Sequence, residues 1–434
     1  MGVDSTTYLA DAKNVYGAIQ DQVSTLAAFM NLLGDGSKFG KPINDLGIRG
    51  YTFLARLQPN WNMGYRPEGY NGVGNAVANF GNQGLNNSTV ILKYAYVPIV
   101  ITGQAENLTK GQQRAFMQAK ALEAKFDMKD IVSHVNVVMV GAQSGGQLAT
   151  VDATSLTTTT FHCSTAGGLP GAQYIRVGMP LDFGPPGGGT LDVTGQTVTA
   201  VNYSTNVVTF SPGGTAPTST DGVWLSGEAS PTTGAFPYTA TGLQQIVSST
   251  GALQGLNPAT AGQQSWASYQ AAMANAATSP ASLLALKQFV KNRGGSEPDC
   301  WITGSDQINE LATIATTLLY YRTDQGGLGK KAIDLGFTTF ELAGDPIVED
   351  KDFVPGVTMA MDSEMVKKFE AVPLSMAEDE AGSWTRVSGT NGIADAVQGL
   401  LRWYHNIGTL QRSALGKQTG YLVPAAFVGQ PPTY

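Results

Sequence analysis

Thr89-Val-Ile-Leu-Lys-Tyr-Ala-Tyr-Val-Pro-Ile-Val-Ile-Thr102, followed after Asn107-Leu-Thr-Lys-Gly111 by an unbroken helical pattern from Gln112 to about Val140, is the stretch on which the fold turns. β-branched and aromatic residues dominate its first part, which reads as a strand. In the second part Met117, Ala121, Ala124, Met128, Ile131, Val135 and Val138 recur at three- and four-residue steps along one side. At a rise of about 1.5 Å per residue this helix would be ~40 Å long, a spine rather than a local element.

Upstream, Tyr51-Thr-Phe-Leu-Ala-Arg-Leu57 reads as a second strand. Between the two lies Gln58 to Ser88, rich in Gly and Asn, with Trp61, Tyr65, Tyr70 and Phe80 as its aromatics and Arg66 and Glu68 as its only charges. Connections longer than ~15 residues are usually functional or disordered, and Trp and Tyr reward an ordered contact. A long two-stranded extension that docks on a partner is therefore expected. From Tyr8 to Leu33 the residues Leu9, Tyr16, Ile19, Val23, Leu26, Met30 and Leu33 give an amphipathic helix, stopped by Gly34-Asp-Gly36. A helix face does not name its partner, so this arm packs either on its own domain or on a neighbouring subunit.

Downstream of the spine the composition changes. Between Gly141 and Gly227 Thr, Ser, Gly and Val dominate; Ile175 to Phe183 alternates as a strand, and Val198 to Tyr203 and Val207 to Phe210 flank the turn Ser204-Thr-Asn206. This is a small β-barrel or sandwich. Arg176 is its one cationic side chain, alone between Asp130 and Leu286, so the region should face away from any packaged polyanion. Past Pro231 the pattern is mixed. Gly242 to Val247 reads as strand-like, Ser279-Pro-Ala-Ser282 opens a helix to Asn292, and Asp299 to Thr303 is a strand before a helix reaching about Tyr321. Phe337 to Ala343, Gly356 to Asp362 and Met365 to Glu370 read as strands, while Gly399 to Gln411 spaces Leu400, Trp403, Ile407 and Leu410 among polar residues.

The chain has 434 residues, of which 14% are charged and 42% hydrophobic, with 53 glycines and 21 prolines and a net charge of −7. Ordinary soluble domains carry roughly 25% charged residues, so a disordered polyelectrolyte is excluded and a loop-rich globular protein expected. The negative balance argues against general nucleic-acid binding. Cys163 and Cys300 are too far apart and too isolated for a disulfide framework or a zinc site. The start has no leader pattern and apolar runs are short, which points to an intracellularly made protein without a membrane anchor.

An enzyme should present a nucleophile, base or metal-ligand constellation. His134, His162 and His405 are scattered, with no HExxH pair or GxSxG elbow, and neighbours His162 and Cys163 on a strand would point to opposite faces. Gly326-Gly-Leu-Gly-Lys330-Lys331 fails as a phosphate loop, because no Ser or Thr follows the lysine. The acidic runs Glu349-Asp350-Lys351-Asp352 and Glu378-Asp379-Glu380 read as solvated faces. No catalytic residue, cofactor site or metal site is expected.

The order of these elements, and in particular Gly81-Asn-Gln-Gly84 followed by Leu92 to Gln104 and the helix to Val140, resembles the extended loop, returning strand and spine helix of tailed-phage major capsid proteins of the Hong Kong 97 type. Gly344-Asp-Pro-Ile-Val348 with Asp352 and Val354-Pro-Gly356 is similar to a later strand-and-turn segment of that family. The resemblance implies an α+β fold divided into an N-terminal arm (1–50), an extended loop with flanking strands (51–102), a peripheral domain (103–144 and 336–385), an inserted all-β domain (145–230) and an axial domain (231–335 and 386–434). It implies a structural protein that is not an enzyme. Copies would associate as pentamers and hexamers into an icosahedral shell, located in the virion and assembled in the host cytoplasm, around double-stranded DNA contacted without sequence reading. Trp61, Tyr65, Arg66, Glu68, Tyr70 and Phe80 would make loop contacts between subunits, and Tyr16, Ile19 and Val23 arm contacts. A separate scaffolding protein, a portal and a decoration protein are the implied partners. Some members join subunits by an isopeptide bond from a loop lysine; here no Lys stands between Lys41 and Lys93, so no such mesh is expected. The alternative is a β-rich decoration or surface-binding component that uses the insert to grip a ligand.

Overall fold

The computed structural model describes residues 29, 33, 43, 50–59, 83–103, 113–141, 144–154, 156–165, 169–186, 190–211, 215–229, 238–294, 296–320, 340–342, 344–378, 384–389 and 392–424. Strands β1 (Gly50–Gln58) and β2 (Gly84–Ile91) form an antiparallel hairpin that shares no strand with any other sheet. The stretch read as one strand from Thr89 to Thr102 is two. Leu92 is buried between them, and β3 (Lys93–Thr102) leaves the hairpin to join a different sheet. The carbonyl of Ile91, at the turn-off, accepts a bond from Asn406 Nδ2 at 2.7 Å.

Helix α1 (Gln113–Asn136) is the spine, and it ends in a widened π turn, Val137–Gly141, whose five residues are all buried. Ile131, Val135 and Val138 enter the main core, as the helical spacing predicts. The next six strands, β4 (Ala149–Asp152), β5 (Thr160–Cys163), β6 (Pro180–Gly184), β7 (Val193–Asn202), β8 (Val207–Phe210) and β9 (Gly222–Leu225), close a barrel in the order β4-β5-β8-β7-β6-β9. Phe161, Phe183 and Phe210 fill it, with ring centroids 5.0 to 5.9 Å apart. The strand expected from Ile175 begins only at Pro180. The Ile175 N–H bonds back to Ala172 in a turn, Gly178 takes φ +90°, and Val177 is left exposed.

Gly242 to Val247 is not a strand. Leu243 and Ile246 lie three apart and are both buried, which makes one helical turn, α2 (Leu243–Ile246), and leaves Gln244 and Gln245 half-buried outside. After β10 (Tyr269–Ala272), α3 (Pro280–Gly294), β11 (Cys300–Thr303) and α4 (Ser305–Tyr320) come β12 (Phe340–Leu342), β13 (Asp345–Glu349), β14 (Val357–Met361), β15 (Val366–Met376), β16 (Thr385–Gly389), β17 (Gly392–Thr409) and β18 (Gly416–Thr419). A six-stranded mixed sheet runs β10-β18-β14-β11-β13-β12. In a second sheet the 18-residue β17 pairs with β3 on one side and with β15 and β16 on the other.

Strand pairing links segments that are distant in the chain. β12, β13 and β14, assigned with the peripheral segment 336–385, pair among themselves and with β11 of the axial segment 231–335. β17, assigned to the axial segment 386–434, pairs with β3 and β15 instead.

The main core joins the two sheets to the spine. Phe29 and Leu33, at the end of the expected N-terminal helix, are helical and buried there beside Met139, Leu243, Val357, Val366 and Ile407. This end of the arm packs on its own subunit. The acidic run 349–352 is only partly a solvated face: Glu349 is exposed, whereas two of its carboxylates are turned inward. Asp350 and Asp352 are fully buried because Asn136, at the end of the spine, donates to both, at 3.1 and 3.0 Å, while Asp350 also accepts the Phe29 N–H at 2.9 Å. Burial nevertheless outweighs these bonds and raises the Asp350 carboxyl above the ordinary carboxylate value.

Candidate assembly surfaces

The residues expected to make contacts between subunits, Trp61, Tyr65, Arg66, Glu68, Tyr70 and Phe80 on the loop and Tyr16, Ile19 and Val23 on the arm, lie outside the described residues, as does the Gly326–Lys331 segment. The base of the loop is described. On the inner face of the hairpin, Phe53, Ala55 and Leu57 pack on Leu256 and Trp266. Two hydrogen bonds and a ring contact lock that face: Ser265 Oγ donates to the Leu57 carbonyl at 2.6 Å, Thr89 N–H donates to the Gln254 carbonyl at 2.9 Å, and the Tyr51 ring lies tilted against Phe369 with centroids 5.3 Å apart.

Strand period places the other residues outward. Leu54, Leu85 and Ile91 are 60%, 48% and 55% exposed, among Thr52, Arg56 and Asn87. Large apolar side chains on both faces of a two-stranded ribbon signal a second covering surface. Sequence reasoning did not single these out. The signal available was that alternate residues of Tyr51 to Leu57 leave Leu54 on the face away from Phe53 and Ala55.

A second exposed patch lies where β3 meets β17. Tyr94 stands directly across from Tyr404, with rings edge to face at 4.9 Å, and Tyr96 Oη donates to Tyr404 Oη at 3.2 Å. The opposite face of the same sheet is buried and charged. Lys368 Nζ lies 2.9 Å from Glu370 Oε1 and 4.8 Å from the centre of the Trp403 ring, and Trp403 Nε1 donates to the same Glu370 oxygen at 2.6 Å. His405 lies against Trp403 with neither ring nitrogen in hydrogen-bond geometry with a described residue, and burial, with the Lys368 charge, outweighs the Trp403 backbone and pushes it down to about 3.

Among the described residues the barrel meets the body through several contacts. His134 Nε2 on the spine lies 2.6 Å from Glu228 Oε1, Tyr174 Oη donates to the Asp352 carbonyl at 2.7 Å, and Trp224 Nε1 donates to the Gly145 carbonyl at 3.3 Å. Gly141 at the end of the spine also packs against the barrel side, because a Cβ there would collide with the Tyr174 hydroxyl. Burial pulls the His134 imidazole down, but the Glu228 carboxylate outweighs it and holds the group above the ordinary histidine value.

The chemistry-bearing side chains do not converge. Cys163 and Cys300 are buried free thiols, and burial pushes the Cys163 thiol far up, away from reactive thiolate. His162 Nδ1 lies 3.6 Å from Asp152, whereas His134 pairs with Glu228. Among the described residues no three His, Cys, Asp or Glu side chains are grouped to hold a metal ion, and no helix is long and apolar enough to cross a membrane.

No protein-family model matches the chain, and no curated protein matches it. Solved structures do. The cyanophage A-1(L) capsid asymmetric unit is similar over 93% of this chain and 97% of its own, with a TM-score of 0.53 at 12% identity. Gordonia phage Cozz matches over 96% and 95% with a TM-score of 0.43 at 12% identity. The capsid of a native GTA particle matches over 97% and 100% with a TM-score of 0.43 at 10% identity. The first of these carries the comparison. At such identity the likeness is one of fold, and the chain has an α+β fold of the Hong Kong 97 capsid type.

Proposed function

We propose that this chain is the major capsid protein of a tailed phage, whose copies associate as pentamers and hexamers into an icosahedral shell around double-stranded DNA. The observation that carries this reading is the likeness to a capsid subunit along nearly the whole length of both chains. The hairpin agrees with it: a ribbon tied to its own body on one face, with three exposed large apolar side chains on the other, suits a clamp on a second copy. In that assembly the outer face of Leu54, Leu85 and Ile91 is covered by a neighbouring subunit, and Trp61, Tyr65, Arg66, Glu68, Tyr70 and Phe80 extend the same contact. Tyr16, Ile19 and Val23 of the arm add area on a neighbour. Each contact is modest, and a closed lattice multiplies it.

The barrel of β4 to β9 is the inserted domain, carried on the outside of the shell. Its single cation, Arg176, supports that side, because a surface lining packaged DNA would be expected to offset phosphate charge. A separate scaffolding protein, a portal and a decoration protein complete the particle.

Negative-stain microscopy of the purified full chain, alone and with a co-expressed scaffolding protein, tests the reading. Closed shells, tubes or capsomers are expected. Monomers or trimers that stay so under both conditions overturn it. Removing residues 60–82 should abolish closed shells while leaving a folded subunit; normal shells from that variant would refute the clamp.

A further inference from the structure

Arg412 is buried to 1% exposure, shortly after the long strand β17, and among the described residues no carboxylate compensates it: its partners there are backbone carbonyls. Nε donates to Ile246 at 3.0 Å, Nη1 to Gly251 at 2.9 Å and Trp266 at 3.4 Å, and Nη2 to Gln245 at 2.9 Å and Thr250 at 3.0 Å. All five N–H groups are thereby used. A buried charge without a counter-ion is costly unless it is fully hydrogen-bonded, so a guanidinium in this position must be matched to one conformation of the segment around it.

That segment, 245–266, is the saddle under the hairpin. It has almost no regular structure of its own, and it turns through positive φ at Gly251, Gln254, Gly255 and Gly262. Yet it supplies Leu256 and Trp266 beneath Ala55 and Leu57, the Gln254 carbonyl to Thr89, and the Ser265 hydroxyl to Leu57. The Gln254 amide, oriented to satisfy its neighbours, also joins Ser88 Oγ to the backbone of Thr409 at the end of β17. The hairpin shares no strand with a larger sheet, so besides the root contacts at Asn406 and Phe369 its direction depends on this saddle.

We propose that Arg412 is a positioning residue for assembly: by clasping the carbonyls of 245–266 it fixes the saddle, and the saddle sets the angle at which the β1–β2 hairpin leaves the subunit. The inference rests on the capsid reading only for its consequence in particles. Within a single subunit it stands alone, as a mechanical link from β17 through Arg412 and the saddle to the hairpin.

Hydrogen exchange of the full-length chain tests it directly. In Arg412→Met, amides of 50–58, 84–91 and 245–266 should exchange at least ~10-fold faster, while those of β11 and β14 keep their wild-type rates. Arg412→Lys, which keeps the charge and three donors, should recover part of the protection. Ser265→Ala leaves Arg412 in place and removes one saddle-to-hairpin bond; it should loosen the hairpin amides without changing 245–251. In particles the Met variant should give a broader spread of diameters or open sheets. Unchanged hairpin exchange in all three variants overturns the proposal. So does equal acceleration of β11 and β14, which would make Arg412 a general stabiliser. If Arg412→Met does not fold, the Lys and Ser265 variants decide alone. Failure of wild-type chain to form particles would sink the capsid reading and leave the exchange result standing.

Discussion

His405 makes the folded subunit acid-sensitive in a window where ordinary histidines titrate. It is 2% exposed, neither ring nitrogen meets a hydrogen-bond partner in good geometry among the described residues, and it is held at about 3 against an ordinary value of 6.5. Since the folded-state value is depressed, the unfolded chain binds a proton below pH 6.5 that the folded chain refuses. Stability is therefore full above 6.5 and falls as pH drops, by about 1.4 kcal/mol per pH unit, continuing until the folded-state value is reached. From pH 6.5 to roughly pH 5 this one residue removes ~2 kcal/mol, a large share of the 5–15 kcal/mol typical of a domain. His405→Phe removes the titrating group and two orphaned polar atoms while keeping a ring beside Trp403. Urea unfolding of dissociated subunits, followed by tryptophan fluorescence from about pH 7.5 to 5, should show the variant's advantage over wild type growing by ~2 kcal/mol across that range. Curves that stay parallel would refute the reasoning, because they would mean that the imidazole is either protonated or partnered in the fold.

Leu54→Asp should leave the melting temperature of the subunit unchanged, since the side chain is 60% exposed. Losing the burial of one leucine on a neighbour, about 1–2 kcal/mol, should raise the concentration at which light scattering reports assembly by roughly tenfold; an unchanged threshold would show that this face is not covered. Glu228→Gln should destabilise the barrel-to-spine junction in a pH-dependent way. The folded value of His134 is raised, so the wild-type advantage is complete below pH 6.5 and disappears as pH rises through the raised value. Thermal melts at about pH 6 and 9 measure it, and a gap independent of pH would show that the 2.6 Å pair is not ionic.

What could be read from the sequence follows from periodicity. The spine is legible because Ile131, Val135 and Val138 keep helical spacing into the core. The barrel strands from Val198 and Val207 are legible by alternation around a polar turn. β17 is not, because its buried face reads Leu401, Trp403, His405, Ile407 and Thr409, and two polar letters in five break the pattern while Leu400, Trp403, Ile407 and Leu410 mimic a helix. The break at Leu92 is hidden because β-branched and aromatic residues continue on both sides of it, and only tertiary pairing separates β2 from β3. Asp350 and Asp352 read as surface because their partner, Asn136, is more than two hundred residues away. Arg412 was invisible for a further reason: its partners are carbonyls, which every residue carries.

β17 presents its hydrogen bonds to three other strands along eighteen residues, all of them antiparallel to it. A pull along that strand loads its rungs together, in shear, whereas a pull that separates β1 from β2 sideways would part the rungs of that two-stranded ribbon one at a time. Under outward pressure a lattice of such subunits would yield first where neighbours overlap, and each brick would outlast the mortar.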